Sequence, residues 1–318
     1  MQALRHHWFL ALYLTVLAAA FAWPGPGSQG GPLHLDTLKP WCIAGIFLCA
    51  GLGLPGHRLG AALGSWREHG LIQALSFGLA PLLGLAAAWL AGICGQPESV
   101  QAGLVILGCL PTTIGSCVAI TGLASGNQGL ALVDSVLGNL IGLFLTPLLI
   151  TLLLGRAGSV PVATVIGQLA LLAAAPVLLG QCARLGFAGW IDRQRPRIGI
   201  CSGILLLIVL LGLFSDLASQ GLAAGAAPVA GLCLLLHLAL LGASWMLAAR
   251  SERPDRIAIA ITASHKTAAL GIPLITFLFA SDSALSMLLL PVVLYHIVQL
   301  VVGSMLASHL ARPTTPSR

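Results

Sequence analysis

Long apolar stretches separated by short polar gaps dominate the sequence, and they predict membrane-spanning helices. Ten stretches can be counted, and several are close to the roughly 20 residues that a helix needs to cross the hydrocarbon core. Helices satisfy their own backbone hydrogen bonds, which is why such runs are typical of transmembrane segments. The predicted spans are Trp8–Trp23, Leu38–Leu54, Leu71–Cys94, Gln101–Ala124, Gln128–Leu154, Val160–Leu185, Ile198–Leu217, Leu222–Ala249, Arg256–Ala280 and Ala284–Leu310.

The positive charges alternate between successive gaps, which predicts the orientation. With the N-terminus in the cytoplasm, twelve Lys and Arg fall on the inside and only Lys39 and Arg156 on the outside. Both termini are therefore predicted to be cytoplasmic, and the short loops favour a bacterial inner membrane. Arg5, the apolar run after it and Ala20-Phe21-Ala22 also resemble a cleaved signal peptide, but the parity of the later spans favours a retained first helix.

The composition narrows the class of protein further. Charged residues make up 8% of the 318 positions, hydrophobic residues 58%, and the mean hydropathy is +0.98. These values exclude a soluble domain and a disordered chain. The lipid bilayer is therefore the expected partner of the chain. The net charge of +6 is spread over many gaps, so no nucleic-acid partner is expected. The eight cysteines form no CxxC pair and are interpreted as small buried apolar residues. The oligomeric state is left open.

Five spans in each half predict two inverted repeats, residues 1–157 and 158–318. An odd number of spans per repeat reverses the orientation of the second repeat, an arrangement typical of secondary transporters. The fourth span of each half is interrupted, at Leu110–Ser116 and at Ser264–Thr267 followed by Gly271-Ile272-Pro273. Irregular backbone at membrane depth is tolerated where it is buried in protein or lines a watered cavity, so both breaks predict a binding site.

Polar side chains at and near the breaks are the candidate site residues. Predicted to contact substrate are Thr112, Thr113, Ser116, Asn127, Ser264, His265 and Thr267. Asp134 and Lys266 are formal charges inside spans, where each is costly and usually functional. We expect them to lie close together and set ion coupling, with Ser76 as a further oxygen donor. The alternatives are a static ion pair or two unrelated residues. His265 is also a candidate proton carrier.

Motifs for catalysis and for cofactors are missing from the sequence. It contains no HExxH, no GxSxG and no glycine-rich phosphate loop, so an enzyme is not expected and no cofactor is predicted. A membrane hydrolase using Ser116, or Ser264 with His265, is the remote exception.

The residues around the two breaks resemble a known family. Cys109-Leu-Pro-Thr-Thr-Ile-Gly-Ser-Cys-Val-Ala-Ile-Thr121, Gly126-Asn127 and the run from Gly138 to Pro147 are similar to the bile acid:sodium symporter superfamily. Ser264-His265-Lys266-Thr267 with Gly271-Ile-Pro273 is similar to its SBF-like branch. The resemblance covers essentially the whole chain. It implies a panel of spans 1, 2, 6 and 7, a core of spans 3–5 and 8–10, crossing discontinuous spans 4 and 9, and alternating access.

The resemblance to the family is weakest at the positions that bind sodium in sodium-coupled relatives. Where sodium-coupled relatives have a Ser-Asn pair, this chain has Ser116-Cys117, and the shared Glu of the family falls at Ile261. Two interpretations stay open. Lys266 replaces a bound sodium with Asp134 as counter-ion, giving a sodium-independent or proton-coupled protein. Alternatively, Asp134 and Ser116 are sodium ligands, and Lys266 points at substrate.

The sequence therefore predicts an all-α, ten-span secondary transporter that moves a small organic anion, coupled to sodium or protons. The alternatives are a passive channel or facilitator with the same pore, and a membrane regulator without transport of its own. The identity of the anion and the direction of transport are not predicted.

Overall fold

The computed structural model describes Leu12 and residues 15–53, 65–155, 175–219, 226–279 and 284–311. The regular structure of these residues is helical, and they contain no strand. Residues 15–22 are helical and fall within the first predicted span. The other helices are α1 (Leu35–Gly53), α2 (Trp66–Ile93), α3 (Glu98–Cys109), α4 (Gly115–Leu123), α5 (Gln128–Leu154), α6 (Ala175–Ser219), α7 (Ala226–Leu247), α8 (Arg253–Ser264), α9 (Ala268–Leu278) and α10 (Leu285–Leu310).

Six of the described helices are long and apolar enough to cross a bilayer, which confirms a polytopic helical membrane protein. They are α1, α2, α5, α6, α7 and α10, and α3 is a shorter apolar helix. The fifth predicted span coincides with α5 at both ends. The count of ten and the inverted repeat also depend on parts of the first span and on residues 156–174, which lie outside the described residues. Both therefore stay predictions.

The boundary between the sixth and seventh predicted spans lies at a kink in α6. The kink is at Phe187 (φ −127°, ψ 22°), two residues after the predicted end of the sixth span at Leu185. The Asp192 carboxylate contacts the Arg184 guanidinium across the kink at 2.9 Å, and it contacts that of Arg195 at 3.1 Å. Residues eight apart in a straight helix are separated by about 12 Å along the axis, so the first of these contacts requires the chain to bend between them. The second helix of the pair begins before the predicted start at Ile198, because residues 188–197 are already helical.

The prediction that the cysteines are buried is right for only some of them. All eight are free thiols, and Cys94, Cys182 and Cys201 are exposed. Cys94 directly follows α2, and Cys182 and Cys201 lie on α6, so the prediction of burial is wrong for these three.

The chain divides into two compact units. The first comprises Met1–Leu54, Gln168–Ala226 and Phe279–Met287, and it contains α1 and α6. Glycines let these two helices touch, since a side chain at Gly51 would collide with the backbone of Val177. A buried guanidinium, that of Arg184, donates to the carbonyl of Leu52 in the last turn of α1.

The second unit comprises Pro55–Gly167, Ala227–Leu278 and Leu288–Arg318. It contains α2–α5, α7–α9 and most of α10, together with every predicted site residue. Its apolar core includes Ile72, Ile120, Ala131 and Ile257 from four different helices. Helices α2 and α3 approach very closely, because a side chain at Gly108 would lie only 2.6 Å from the Ala80 carbonyl oxygen.

Candidate functional site

Both predicted breaks are present in the second unit. Residues 110–114 separate α3 from α4, and residues 265–267 separate α8 from α9. Pro111 has no N–H, and proline drives the preceding residue towards extended backbone, as found at Leu110 (φ −72°, ψ 147°). His265 has the same extended conformation at the second break (φ −86°, ψ 139°).

The two breaks touch each other. The Thr267 N–H donates to the Pro111 carbonyl at 2.8 Å, and the Lys266 ammonium donates to the Leu110 carbonyl at 2.9 Å. A side chain at Gly271 would collide with that of Leu110. Residues about 155 positions apart in sequence therefore form one polar junction inside an otherwise apolar unit.

Side chains of α5 satisfy the remaining carbonyls of the first break. An interrupted helix leaves carbonyls without partners, and burying them unpaired is costly. The donors are spaced along one face of α5, as expected for side chains that meet one neighbouring segment. The bonds run from Thr146 Oγ1 to Cys109 O at 2.8 Å, from Asn139 Nδ2 to Thr112 O at 2.8 Å, and from Ser135 Oγ to Thr113 O at 3.4 Å.

Helix α10 supports the second break in a corresponding way. The Gln299 side chain accepts from the Lys266 N–H at 2.7 Å and donates to the Lys266 carbonyl at 2.9 Å. One turn earlier, the Tyr295 hydroxyl donates to the Ser264 carbonyl at 2.7 Å. Each break is thus supported by the second helix after it in the chain, α5 for the first break and α10 for the second. Gln299 and Tyr295 were not among the predicted residues, although their four-residue spacing places them on one face of α10.

The predicted Asp134–Lys266 ion pair is wrong. The Asp134 carboxylate, which is fully buried, instead lies 2.7 Å from His69 Nδ1 and accepts from Gln73 Nε2 at 3.2 Å. His69 and Gln73 are one turn apart in the first part of α2, so they reach α5 together. His69 was missed because its neighbours Arg67 and Glu68 suggested a loop; the signal was its four-residue spacing from Gln73.

The Lys266 ammonium is held by main-chain oxygens rather than by a carboxylate. Nζ donates to the carbonyls of Ser76 at 2.9 Å, Leu110 at 2.9 Å and Gly108 at 3.4 Å, and the residue is only 3% exposed. Ser76 was predicted to supply a side-chain oxygen for ion coupling, and the structure shows its carbonyl, not its hydroxyl, in contact with Lys266. The ammonium is therefore enclosed by the main chain at the junction of the two breaks.

The candidate hydroxyls differ in how they are arranged. Thr113 and Ser116 are partly exposed, and the Ser116 hydroxyl donates to that of Thr113 at 3.5 Å. They flank the first turn of α4, whose N–H groups have no acceptor within the helix. Thr112, Ser264 and Thr267 are buried, and the Ser264 hydroxyl donates back to Ile261 at 3.2 Å.

Two other predicted residues have structural contacts. Asn127 is the N-cap of α5, where its side chain accepts from the Leu130 N–H at 3.1 Å and donates to Asp255 at 2.7 Å. It lies beyond the far end of α4 from the first break. His265 is buried, and its Nδ1 donates to the Ile261 carbonyl at 2.8 Å. Its ring packs edge-on against that of His237, with centroids 5.6 Å apart.

Comparison with known proteins finds transporters that are similar to this chain over nearly its whole length. The SBF-like CPA transporter family matches residues 7–312. Sodium/bile acid cotransporter 7 of Rattus norvegicus is 28% identical over 322 residues, covering 96% of this chain and 93% of the relative. The protein of the same name in Mus musculus is 29% identical over 326 residues, with the same two coverages. An uncharacterized protein of Pseudomonas aeruginosa is 34% identical over 312 residues, covering 95% of this chain and 92% of the relative.

Proposed function

Because the chain belongs to the SBF-like CPA transporter family, we propose that it is a secondary active transporter that moves a small organic anion by alternating access. Membership of a transporter family confirms that the chain is not an enzyme and that it acts on a small molecule in a lipid bilayer. We further assign to it an anionic solute, an alternating-access mechanism and coupling to an ion.

One observation carries this proposal, namely the contact between two interrupted helices whose freed backbone groups are satisfied by polar side chains. Irregular backbone at membrane depth needs a protein-lined environment of this kind, and transporters place their binding sites at such interruptions. The partly exposed Thr113 and Ser116 hydroxyls lie beside the first turn of α4. N–H groups at a helix N-terminus favour a negatively charged group, and this supports an anionic solute.

The division into two units supports an assignment of the panel and the core. We assign the panel of spans 1, 2, 6 and 7 to the first unit, and the core of spans 3–5 and 8–10 to the second. The described helices of each unit agree in sequence position with those spans. Alternating access would then come from movement of one unit relative to the other.

The coupling ion is assigned to sodium or a proton, with Asp134 as the residue that responds. The Asp134 carboxylate is fully buried and lies 2.7 Å from the largely buried His69 imidazole, so it is the formal charge inside α5 that a coupling ion would meet. Under the sodium alternative, Ser116 and Asp134 are the ligands. Each now bonds elsewhere, Ser116 to Thr113 and Asp134 to His69 and Gln73, so binding would require both to rearrange.

The experiment combines ligand screening with transport. Organic anions are first screened for stabilisation of the purified protein in detergent, since a ligand that binds only the folded state raises the unfolding temperature. The strongest stabiliser is then supplied in labelled form to proteoliposomes that carry a sodium or a proton gradient. We expect uphill accumulation with one gradient, and at least about tenfold slower uptake for Thr113→Val and Ser116→Ala, equivalent to about 1.4 kcal/mol.

Matched controls are available on other faces. The Thr151 hydroxyl bonds within its own helix to Pro147, and the Ser308 hydroxyl bonds to Met305, so Thr151→Val and Ser308→Ala should transport normally. Uptake that only equilibrates under every gradient would replace the proposal with a passive facilitator. Failure of every anion to stabilise the protein or to be transported would reject the organic-anion assignment.

A further inference from the structure

The ammonium of Lys266 lies in a cage of three main-chain carbonyl oxygens, those of Ser76, Leu110 and Gly108. An ammonium has three N–H donors, and this cage supplies three acceptors. Within the described residues, Lys266 forms no ion pair with a carboxylate. A buried positive charge is therefore stabilised by carbonyl dipoles alone, which is the chemistry that proteins use to hold a dehydrated monovalent cation.

The Ser76 carbonyl is free for a reason that can be read from the sequence. In an α-helix it would accept from the N–H of residue 80, but the chain makes a π-helical turn over Leu75–Leu79, and the Ala80 N–H bonds to Leu75 instead. The next candidate, five residues on, is Pro81, which has no N–H. The π-turn and the proline together leave the Ser76 carbonyl without a partner in its own helix.

The other two carbonyls are free because α3 ends. Gly108 lies in the last turn of α3 and Leu110 is the first residue of the break, where the last carbonyls of a helix have no intrahelical donor. The close packing of Gly108 on Ala80 and Pro81 brings these carbonyls near the π-turn of α2. Three segments, namely α2, the first break and the second break, thus converge on one ammonium.

We propose that this cage is a monovalent-cation site that the chain fills permanently with the Lys266 ammonium, and that removing the side chain opens the site to a free cation. The charge that joins the two breaks is then covalently tethered, so no exchangeable cation is needed there. The inference concerns binding and stability of the second unit and does not depend on which solute is carried. A failed transport assay would therefore leave it standing, and its own failure would leave the proposed function standing.

The test uses two substitutions of Lys266 with opposite consequences. Lys266→Ala empties the cage, whereas Lys266→Met fills it with an uncharged side chain of similar length. Unfolding temperatures are measured in detergent at fixed ionic strength, with choline chloride replaced stepwise by sodium, potassium, methylammonium or ethylammonium chloride. Lys266→Ala should unfold at a lower temperature than wild type, and methylammonium or ethylammonium should raise that temperature saturably. The expected rise is about 2 °C at ten times the dissociation constant. Wild type and Lys266→Met should not respond.

A lysine of the first unit is the matched control. The Lys39 ammonium lies 3.0 Å from the Asp216 carboxylate and 3.6 Å from that of Asp36. Lys39→Ala removes the same atoms from a site whose acceptors are carboxylates and not carbonyls. A rise in unfolding temperature that is confined to Lys266→Ala therefore excludes general stabilisation by ammonium salts. If Lys266→Ala folds only when it is purified with methylammonium, this dependence on the cation also supports the proposal.

Three results would overturn the proposal. The first is a Lys266→Ala protein that no cation stabilises beyond Lys39→Ala. The second is a Lys266→Ala protein that no cation recovers, while Lys266→Met folds with wild-type stability. The third is a wild-type protein stabilised saturably by sodium, with the effect lost in Lys266→Met, because the cage would then hold an exchangeable ion.

Discussion

The two formal charges inside spans were predicted from sequence to form one pair, and they instead belong to two separate arrangements. Asp134 contacts His69 and Gln73, and Lys266 contacts carbonyls. Sequence reasoning located both charges correctly, because a charge in an apolar run is a local signal. It could not find their partners, since the partners lie 61 to 190 positions away and three of the groups are backbone carbonyls.

The first prediction concerns His69 and Asp134. Replacing His69 by Ala leaves a buried carboxylate with Gln73 as its remaining side-chain partner, and it should lower the free energy of unfolding by about 3 kcal/mol. Asp134→Asn removes the charge itself and should cost less, because His69 is partly exposed and can be hydrated. In the double variant, His69→Ala should cost little beyond Asp134→Asn. Denaturant unfolding in mixed micelles measures all three.

The control for this cycle is His309→Ala, since His309 is exposed in the last turn of α10. Its effect on unfolding should be small. Additive effects of His69→Ala and Asp134→Asn would show that the two side chains do not interact.

The second prediction concerns Gln299, whose amide pairs with both backbone groups of Lys266. Gln299→Leu leaves one N–H and one carbonyl unpaired in the interior, and each such group costs about 1–3 kcal/mol. We expect a lower unfolding temperature for Gln299→Leu, and an intermediate value for Gln299→Glu, which keeps the acceptor. Equal stability of Gln299→Leu and wild type would contradict the role assigned to this side chain.

At the scale of elements, local signals predicted the breaks well and the continuous helices less well. Pro111 and its hydroxyl-rich neighbours marked the first break to within a few residues of its observed bounds. The predicted end of the sixth span at Leu185 lies close to the kink at Phe187, whereas the seventh helix begins about ten residues before its predicted start at Ile198. The π-turn in α2 was not predicted, although Pro81 was visible as a helix-disrupting residue.

The third prediction tests whether Pro81 maintains that π-turn. Pro81→Ala supplies an N–H that lets the turn close as α-helix, so the Ser76 carbonyl gains a helical donor and is drawn away from Lys266. The substitution should lower the unfolding temperature in wild type, where a cage oxygen is lost. In Lys266→Met it should leave the temperature unchanged or raise it, since a helical hydrogen bond is gained.

Pro147→Ala is the matched control for this cycle. Pro147 also lies inside a helix and is buried, but no carbonyl of its helix is known to bind Lys266. Its effect should be the same with and without the lysine. If Pro81→Ala also behaves identically in both backgrounds, the π-turn and the ammonium are independent.

At the scale of the whole molecule, the alternation of positive charges predicts which segments lie on the cytoplasmic side. Contacts in the second unit test part of this prediction. It predicts that the segments at residues 125–127 and 250–255, and the C-terminal end of the last span, all lie on the cytoplasmic side. Asn127 bonds to Asp255 at 2.7 Å, and the Arg253 guanidinium donates to the Leu310 carbonyl at 3.1 Å. The three segments therefore lie at one end of this unit, as the span parity between them requires.

The fourth prediction follows for the intact membrane. Single cysteines are introduced at Ser251 and at Gln96, in a background where Cys94, Cys182 and Cys201 are replaced by serine because they are exposed. Gln96 lies between α2 and α3, one crossing away from the cytoplasmic side. A maleimide that does not cross membranes should label Gln96→Cys in whole cells, and should label Ser251→Cys only after the cells are opened. Labelling of both cysteines from outside would contradict the predicted odd number of crossings between them, and with it the inverted repeat. If instead Ser251→Cys is labelled in whole cells and Gln96→Cys only after opening, the repeat stands and the orientation predicted from the positive charges is reversed.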